Sequence, residues 1–374
     1  MAAESCTAAS AWLPVSQYHS AQEWAGPDGG TYTFEALTDK SAHKDVTELA
    51  KHTYDGHDFI SVLFPVWLAR PVSWMCGIRY SLAQVLPSEG QTTQATQAAE
   101  KPRAEGVIAF MLLDMLDTGS TGWLEALRVH PDHRNQGLAR KISALVNWQA
   151  RQRAGCERIR YTTTTRNTAS LKIASGLGMQ EAQRWLFIAE SLTDASSSFL
   201  TSLQRRAQRR AEESESDEDQ ALLQDIIKPC TSVEAAERLA SVAKQHPVLL
   251  HDWVARNNTA DTIRELQELD ARFFYSTQDG SVSWCTSRAV YSGDMLHLVG
   301  LAAPNAASTA AHIAKHNELA QQEARHSLWV FASATHQEQL KAWGLCGIGG
   351  VSKVPQASPI CVMVQADFGA ESSE

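Results

Sequence analysis

The stretch that most constrains this chain is Trp123–Arg140, where an apolar strand pattern, WLEALRV, passes through a His-Pro pair into HRNQGLAR and then into an amphipathic helix. Leu138, Ile142, Leu145 and Val146 recur at i, i+4, i+7 and i+8 and define the helix, whereas strict alternation puts Glu125, Leu127 and Val129 on one face of the strand. Gly137, with Ala139 two places on, permits a tight turn that presents the N–H groups from about Asn135 to Ala139 at the helix N-terminus. Such an end binds anions through unpaired donors and the positive end of the helix dipole. Arg134 and Arg140 flank it, and their guanidinium forks suit phosphate oxygens. A lone arginine and glycine would fit an ordinary basic helix cap equally well, so the surrounding elements decide between the two.

Those elements carry a resemblance. The pattern Arg134-x-x-Gly137-x-Ala139 resembles the acetyl-coenzyme A loop of the GCN5-related N-acetyltransferases (GNAT). The strand before it and the order after it, a helix, the β-rich RIRYTTTT and then NTASLKIASGLGM ending in Gly178-Met179, are similar to that family as well. The resemblance implies an α/β fold (mixed α+β sheet) and acetyl-CoA as co-substrate, with no metal. It places Leu127, Arg128 and Val129 against the pantetheine arm and Arg134, Asn135, Gln136, Gly137, Leu138, Ala139 and Arg140 around the pyrophosphate, and makes Asn167 a further coenzyme contact. Glu125 takes the position of the carboxylate that accepts the amine proton; the alternative is a structural carboxylate paired with Arg128 or Arg160. Where the family commonly carries a tyrosine that protonates the leaving thiolate, this chain has Ala174, so Tyr54, Tyr161, water or free thiolate departure would have to serve.

The segments YTFEALTDK, YDGHDF, PVWLARP and HDWVARNN extend the resemblance to the histidine N-acetyltransferase group, which implies a free amino acid or small amine as acceptor. Tyr54, Asp55, His57 and Asp58 would line its pocket. The other readings are a protein or peptide N-acetyltransferase and a coenzyme-binding regulatory protein with little turnover.

Composition limits the classes further. A chain of 374 residues with 44% hydrophobic residues is long enough for more than one core. Its net charge of −9 argues against a general nucleic-acid or anionic-membrane binder. Seven scattered cysteines without a CxxC pair form neither a disulfide framework nor a zinc motif. No apolar run reaches the roughly 18 residues of a membrane span, and the start lacks a signal or transit pattern. Cytoplasm is the expected location, with nuclear access left open by the Arg-rich run after Arg205.

The expected organisation is a flexible leader over 1–30, a GNAT catalytic domain over 31–192 with a disordered insertion near 87–105, a charged helix or linker over 193–222, and a degenerate GNAT-like domain over 223–374. The first domain should run strand, two helices, three strands, helix, strand, helix, strand. The second repeats strands and helices, but its NAASTAAHIAKH after Pro304 has no arginine, glycine or charge cluster and so no coenzyme loop. GLCGIGG (344–350) follows a helix rather than a strand, against a dinucleotide site. His312 and His316, four apart on a helix, are expected on a solvated face.

Overall fold

The computed structural model describes residues 22–26, 29–53, 56, 58–82, 104–152, 154–192, 227–289, 295–342 and 360–368. The expected insertion near 87–105, apart from its last two residues, the charged 193–222 run and the GLCGIGG segment lie outside them. The chain divides into two compact units, one formed by Met1–Arg160, Ile173–Met179 and Ala366–Glu374, the other by Tyr161–Lys172 and Gln180–Gln365.

Along the chain come β1 (Gln22–Ala25), β2 (Thr31–Ala36), α1 (His43–Ala50), α2 (Ile60–Ala69), β3 (Ser73–Ser81), β4 (Gly106–Leu116), β5 (Thr121–Val129), α3 (Leu138–Gln152), β6 (Arg158–Thr164), α4 (Thr168–Gly176) and β7 (Gln180–Ser191). From β2 onward this is the element order the sequence predicts. β1 is an addition: it pairs antiparallel with β2 inside the stretch expected to be a loose leader. Its QEWA carries too short an alternation to be seen locally, and Trp24 is fixed instead by stacking on Tyr32 at 5.5 Å and by the Lys141 ammonium 3.4 Å from its ring centre.

In the first unit the strands run β1-β2-β3-β4-β5-β6, antiparallel up to β5, and β5 pairs parallel with β6 across α3. β4 is buried along all but its first residue, as expected of a strand covered on both faces. One face packs Phe110 and Leu112 against Val46 and Leu49 of α1 and Ile60, Phe64 and Trp67 of α2.

The second unit continues with β8 (Ile227–Cys230), α5 (Ser232–Ser241), β9 (Val248–His251), β10 (Val254–Asn257), α6 (Ala260–Glu268), β11 (Arg272–Ser276), β12 (Val282–Ala289), β13 (Met295–Ala302), α7 (Ala306–Gln322), β14 (Ser327–Ser333), α8 (Gln337–Ala342) and β15 (Ile360–Asp367). Its strands run β15-β7-β14-β13-β12-β11-β8, with β9–β10 as a separate ribbon. The helices begin where side chains cap them: Thr231 and Glu234 form a reciprocal capping box on α5, and Asn305 accepts from Ser308 N at 2.8 Å on α7. Ile313 and Ala310 of α7 pack on Cys285, Val299 and Val330. Leu239 of α5 and Ile263 of α6 form a separate core with Trp284 and Phe273. His312 and His316 are not solvated: both are fully buried, because the residues around them on α7 are small or apolar and the helix is covered.

β12, β13, α7 and β14 repeat the β4-β5-α3-β6 pattern, an antiparallel pair followed by a parallel crossover. The copies differ in two ways. The β12–β13 register is unbroken from Val282–Ala302 to Ala289–Met295, and the β13–β14 ladder holds over five residue pairs. β5 has neither property.

Candidate active site

β5 is broken at one point. Phe110 of β4 opposes Arg128 and Leu112 opposes Glu125, so the single Met111 stands against two residues, Ala126 and Leu127. That is a β-bulge, and Ala126 carries it in the left-handed region at φ 59°. An alanine there costs about 1 kcal/mol or more relative to glycine, strain of the kind found at binding sites.

The bulge also corrects the alternation read from the sequence. Directly opposed residues share a face, so Glu125 and Arg128 lie together on the face of Phe110 and Leu112, and Val129, opposite Ala109, turns to the other. Glu125, Leu127 and Val129 therefore do not line one face. β5 pairs with β6 through Thr121–Arg158, Gly122–Ile159 and Trp123–Arg160, and the ladder ends there, so the bulged half of the strand extends beyond it.

Glu125 is half-buried, and the Trp123 indole N–H donates to its Oε2 at 3.3 Å. The two arginines considered as its partners pair with other carboxylates. Arg128 meets the buried Asp58 through Nε–Oδ2 at 2.5 Å and Nη2–Oδ1 at 3.1 Å, and Arg160 faces Asp117 at 3.7 Å. Asp58 also accepts from Ile60 N at 3.2 Å, where α2 begins. Its side chain is 0% exposed, so it anchors the end of the YDGHD segment to β5 and does not present an open carboxylate. Tyr54, Asp55 and His57 lie outside the described residues.

The loop after β5 turns through a short 3-10 segment, Pro131–His133, and then through two left-handed residues, Asn135 at φ 61° and Gly137 at φ 75°, before α3 starts at Leu138. A Cβ at Gly137 would meet no atom within 4 Å; the glycine is required by its backbone angle, and the space over the turn is open. Arg134 Nε donates to Val129 O at 3.1 Å and Arg140 Nη2 to Gly176 O at 3.0 Å. Each guanidinium has five N–H donors, so these tethers set its direction and leave others for an anion. Leu138 is buried, and Ala139 sits in the first turn of α3. Gln136 is turned inward: its Oε1 accepts from the Tyr32 hydroxyl at 2.6 Å. That hydroxyl also meets Nδ1 of the buried His133 at 3.1 Å, and His133 Nε2 lies 2.9 Å from Ala104 O. Tyr32 and His133 thus brace the loop from beneath. A tyrosine in β2 gives no sequence signal of that kind.

Asn167 and Tyr161 belong to the second unit. Asn167 Oδ1 accepts from Ser170 N at 3.2 Å and starts α4. The Tyr161 hydroxyl donates to Ser170 O at 2.8 Å, and burial raises its pKa. Ala174 is buried in α4.

A bulged strand bearing a carboxylate is thus followed by a turn of two left-handed residues at a helix start, with two arginines beside it. Residues 86–179 match the family model "Acetyltransferase (GNAT) family". The chain carries a GNAT acetyltransferase domain and is an acyltransferase of that kind. No curated protein matches it in sequence. In fold it is similar to a GCN5-related N-acetyltransferase from Sphaerobacter thermophilus (10% identity, TM-score 0.53), with 92% of this chain and 97% of that one covered. It is also similar to a tandem GNAT protein from the clavulanic acid biosynthesis pathway (12% identity, TM-score 0.50), with 91% and 99% covered. At these identities the likeness is one of fold, and both matches extend over nearly the whole chain. No described helix is long and apolar enough to cross a membrane.

Proposed function

We propose that this protein transfers the acetyl group of acetyl-CoA to the primary amine of a small molecule, of the free amino acid class that includes histidine, by direct attack in a ternary complex in the cytoplasm. The observation that carries the reading is the placement of Glu125 and Arg128 on one face of the bulged strand, with Arg128 tethering the Asp58 end of the acceptor segment to that face. Residues 31–192 would form the catalytic domain and 223–374 a second, GNAT-like one. The second, with its unbroken β13 and its helix start at Asn305, would lack a coenzyme loop.

The turn at Asn135–Gly137, with Arg134 and Arg140 beside it, fits a pyrophosphate, since its open side is the one a Cβ at Gly137 would occupy. The backbone of Leu127–Val129, past the end of the β6 ladder, offers N–H and C=O groups to an extended arm. Bound there, the coenzyme supplies an activated acetyl thioester. Glu125 accepts the proton that the attacking amine gives up, directly or through one water, and the Trp123 N–H fixes the orientation of its carboxylate. Ala174 stands where a thiolate-protonating tyrosine would be expected, and water or free thiolate departure would serve instead.

The test is release of free coenzyme A from acetyl-CoA with a panel of free amino acids, polyamines and short peptides, in wild type and Glu125→Gln. Turnover on one amino acid, reduced about 10²–10⁴-fold in Glu125→Gln with coenzyme affinity retained, is expected. Turnover on peptides alone would replace the acceptor class. Coenzyme binding without turnover on any acceptor would make the protein a regulatory one.

A further inference from the structure

The core of the second unit holds chemistry that acetyl transfer does not use. Cys285 on β12 opposes Val299, and His297 on β13 opposes Ser287, so both side chains share the face against which α7 packs. From α7, His312 and His316 meet that face one helical turn apart. Cys285, His297, His312 and His316 are each 0% exposed; Cys285 packs with Val299, Ile313, Leu328 and Val330, and the Arg272 side chain hydrogen-bonds its sulfur. Three imidazoles and a thiol in an apolar layer are costly unless bonded or coordinated.

We propose that Cys285, His297 and His316 bind a transition-metal ion of the zinc class. One donor atom from each lies within 4.8 Å of the others. His297 Nε2 and His316 Nδ1 are 3.1 Å apart. That is a hydrogen-bond distance, and it is also close to the roughly 3.3 Å that separates two nitrogens held about 2.0–2.1 Å from one tetrahedral zinc ion. Mixed sulfur and imidazole donors suit zinc and exclude calcium and magnesium, which take oxygen.

The surroundings orient the ligands. His316 Nε2 lies 2.8 Å from Ser283 Oγ, Ser283 Oγ lies 2.7 Å from His312 Nδ1, and His312 Nε2 lies 3.0 Å from Ser281 Oγ. This chain can carry its protons either way, and metal binding selects the direction His316 N–H to Ser283, Ser283 O–H to His312, His312 N–H to Ser281. His316 Nδ1 is then a lone pair directed at His297, the tautomer a metal ligand requires. The layer also has polar capacity that protein atoms do not satisfy: among the described residues, His297 Nδ1 and both amide atoms of the buried Asn317 have no hydrogen-bond partner. On binding, the Cys285 thiol gives its proton to solvent and its sulfur becomes the third ligand.

The experiment uses the untagged full-length chain, expressed in medium supplemented with zinc or with cobalt as a spectroscopic substitute. About one zinc per chain should survive dialysis, and its removal by chelator should lower Tm by roughly 5 °C. The cobalt form should show visible bands of a tetrahedral ion and a near-ultraviolet sulfur-to-cobalt band, and Cys285→Ser should abolish the latter. His297→Gln should lower the metal content well below one. Wild-type protein that folds with only trace metal and shows no sulfur-to-cobalt band would overturn the proposal. A sulfur-to-cobalt band that persists in Cys285→Ser would do the same. Should both variants fail to fold, the wild-type spectrum and metal content decide alone.

Discussion

Asp58 shows how far a residue's type can mislead about its task. An acid in YDGHDF invites a substrate contact, yet its carboxylate is held by two guanidinium nitrogens of Arg128 and by Ile60 N. Removing one partner of a buried pair leaves the other charge uncompensated, so Arg128→Met should destabilise the protein by about 3–5 kcal/mol in urea unfolding. A loss below about 1 kcal/mol would mean the pair is effectively solvated. His251 offers a second reading at this scale. Burial, then Arg256 and Arg288, push its pKa down to about 3. The unfolded chain takes up that proton near pH 6.5 and the folded one does not, so this group's contribution falls as pH drops from about 6.5 towards 3, by at most about 1.4 kcal/mol per pH unit. Asp252, raised to about 6 by burial, acts in the opposite sense between about 6 and 3.8. The comparison to make is therefore differential: His251→Asn should lose less stability than wild type between pH 6.5 and 4, and parallel curves would refute the assignment.

At the scale of elements, two strands in equivalent places of the repeat are built differently. β5 contains a bulge at Ala126 and leaves the β6 ladder at Trp123, whereas β13 keeps its register against both neighbours. β13 is locked by Gly300, opposite Trp284: a Cβ there would stand 2.3–2.4 Å from the indole, and that ring is buried. Gly300→Ala should cost about 1–3 kcal/mol by overpacking, measured as a lower Tm or urea midpoint. If stability is unchanged, the indole has room to move and the lock is not real. The strand types, the α3 periodicity and the Gly137 turn were legible in the sequence because each has a local signature. The bulge was not, since nothing in EALR distinguishes an alanine at positive φ from one in a regular strand. That single shift is why Val129 leaves the face that Glu125 occupies.

For the whole molecule, the second unit takes in a strand that the sequence order gives to the first half. β7, Gln180–Ser191, pairs with β14 on one side and β15 on the other, both from the last 50 residues or so of sequence that fold as strands. A fragment ending at Ser191 therefore loses both neighbours of β7, exposing the apolar Trp185, Leu186 and Ile188, and should be insoluble or aggregate on gel filtration. A monodisperse, active fragment would contradict this pairing. The sequence by itself determined the element order from β2 to β7 and the turn at Gly137 before α3, because these rest on periodicity and glycine within a few positions of one another. Only the tertiary structure decided that Asp58 serves Arg128, that Gln136 faces Tyr32, and that His297, His312 and His316 meet Cys285 in one apolar layer. Those contacts join residues tens of positions apart, and their energies depend on burial and register, which no local pattern carries.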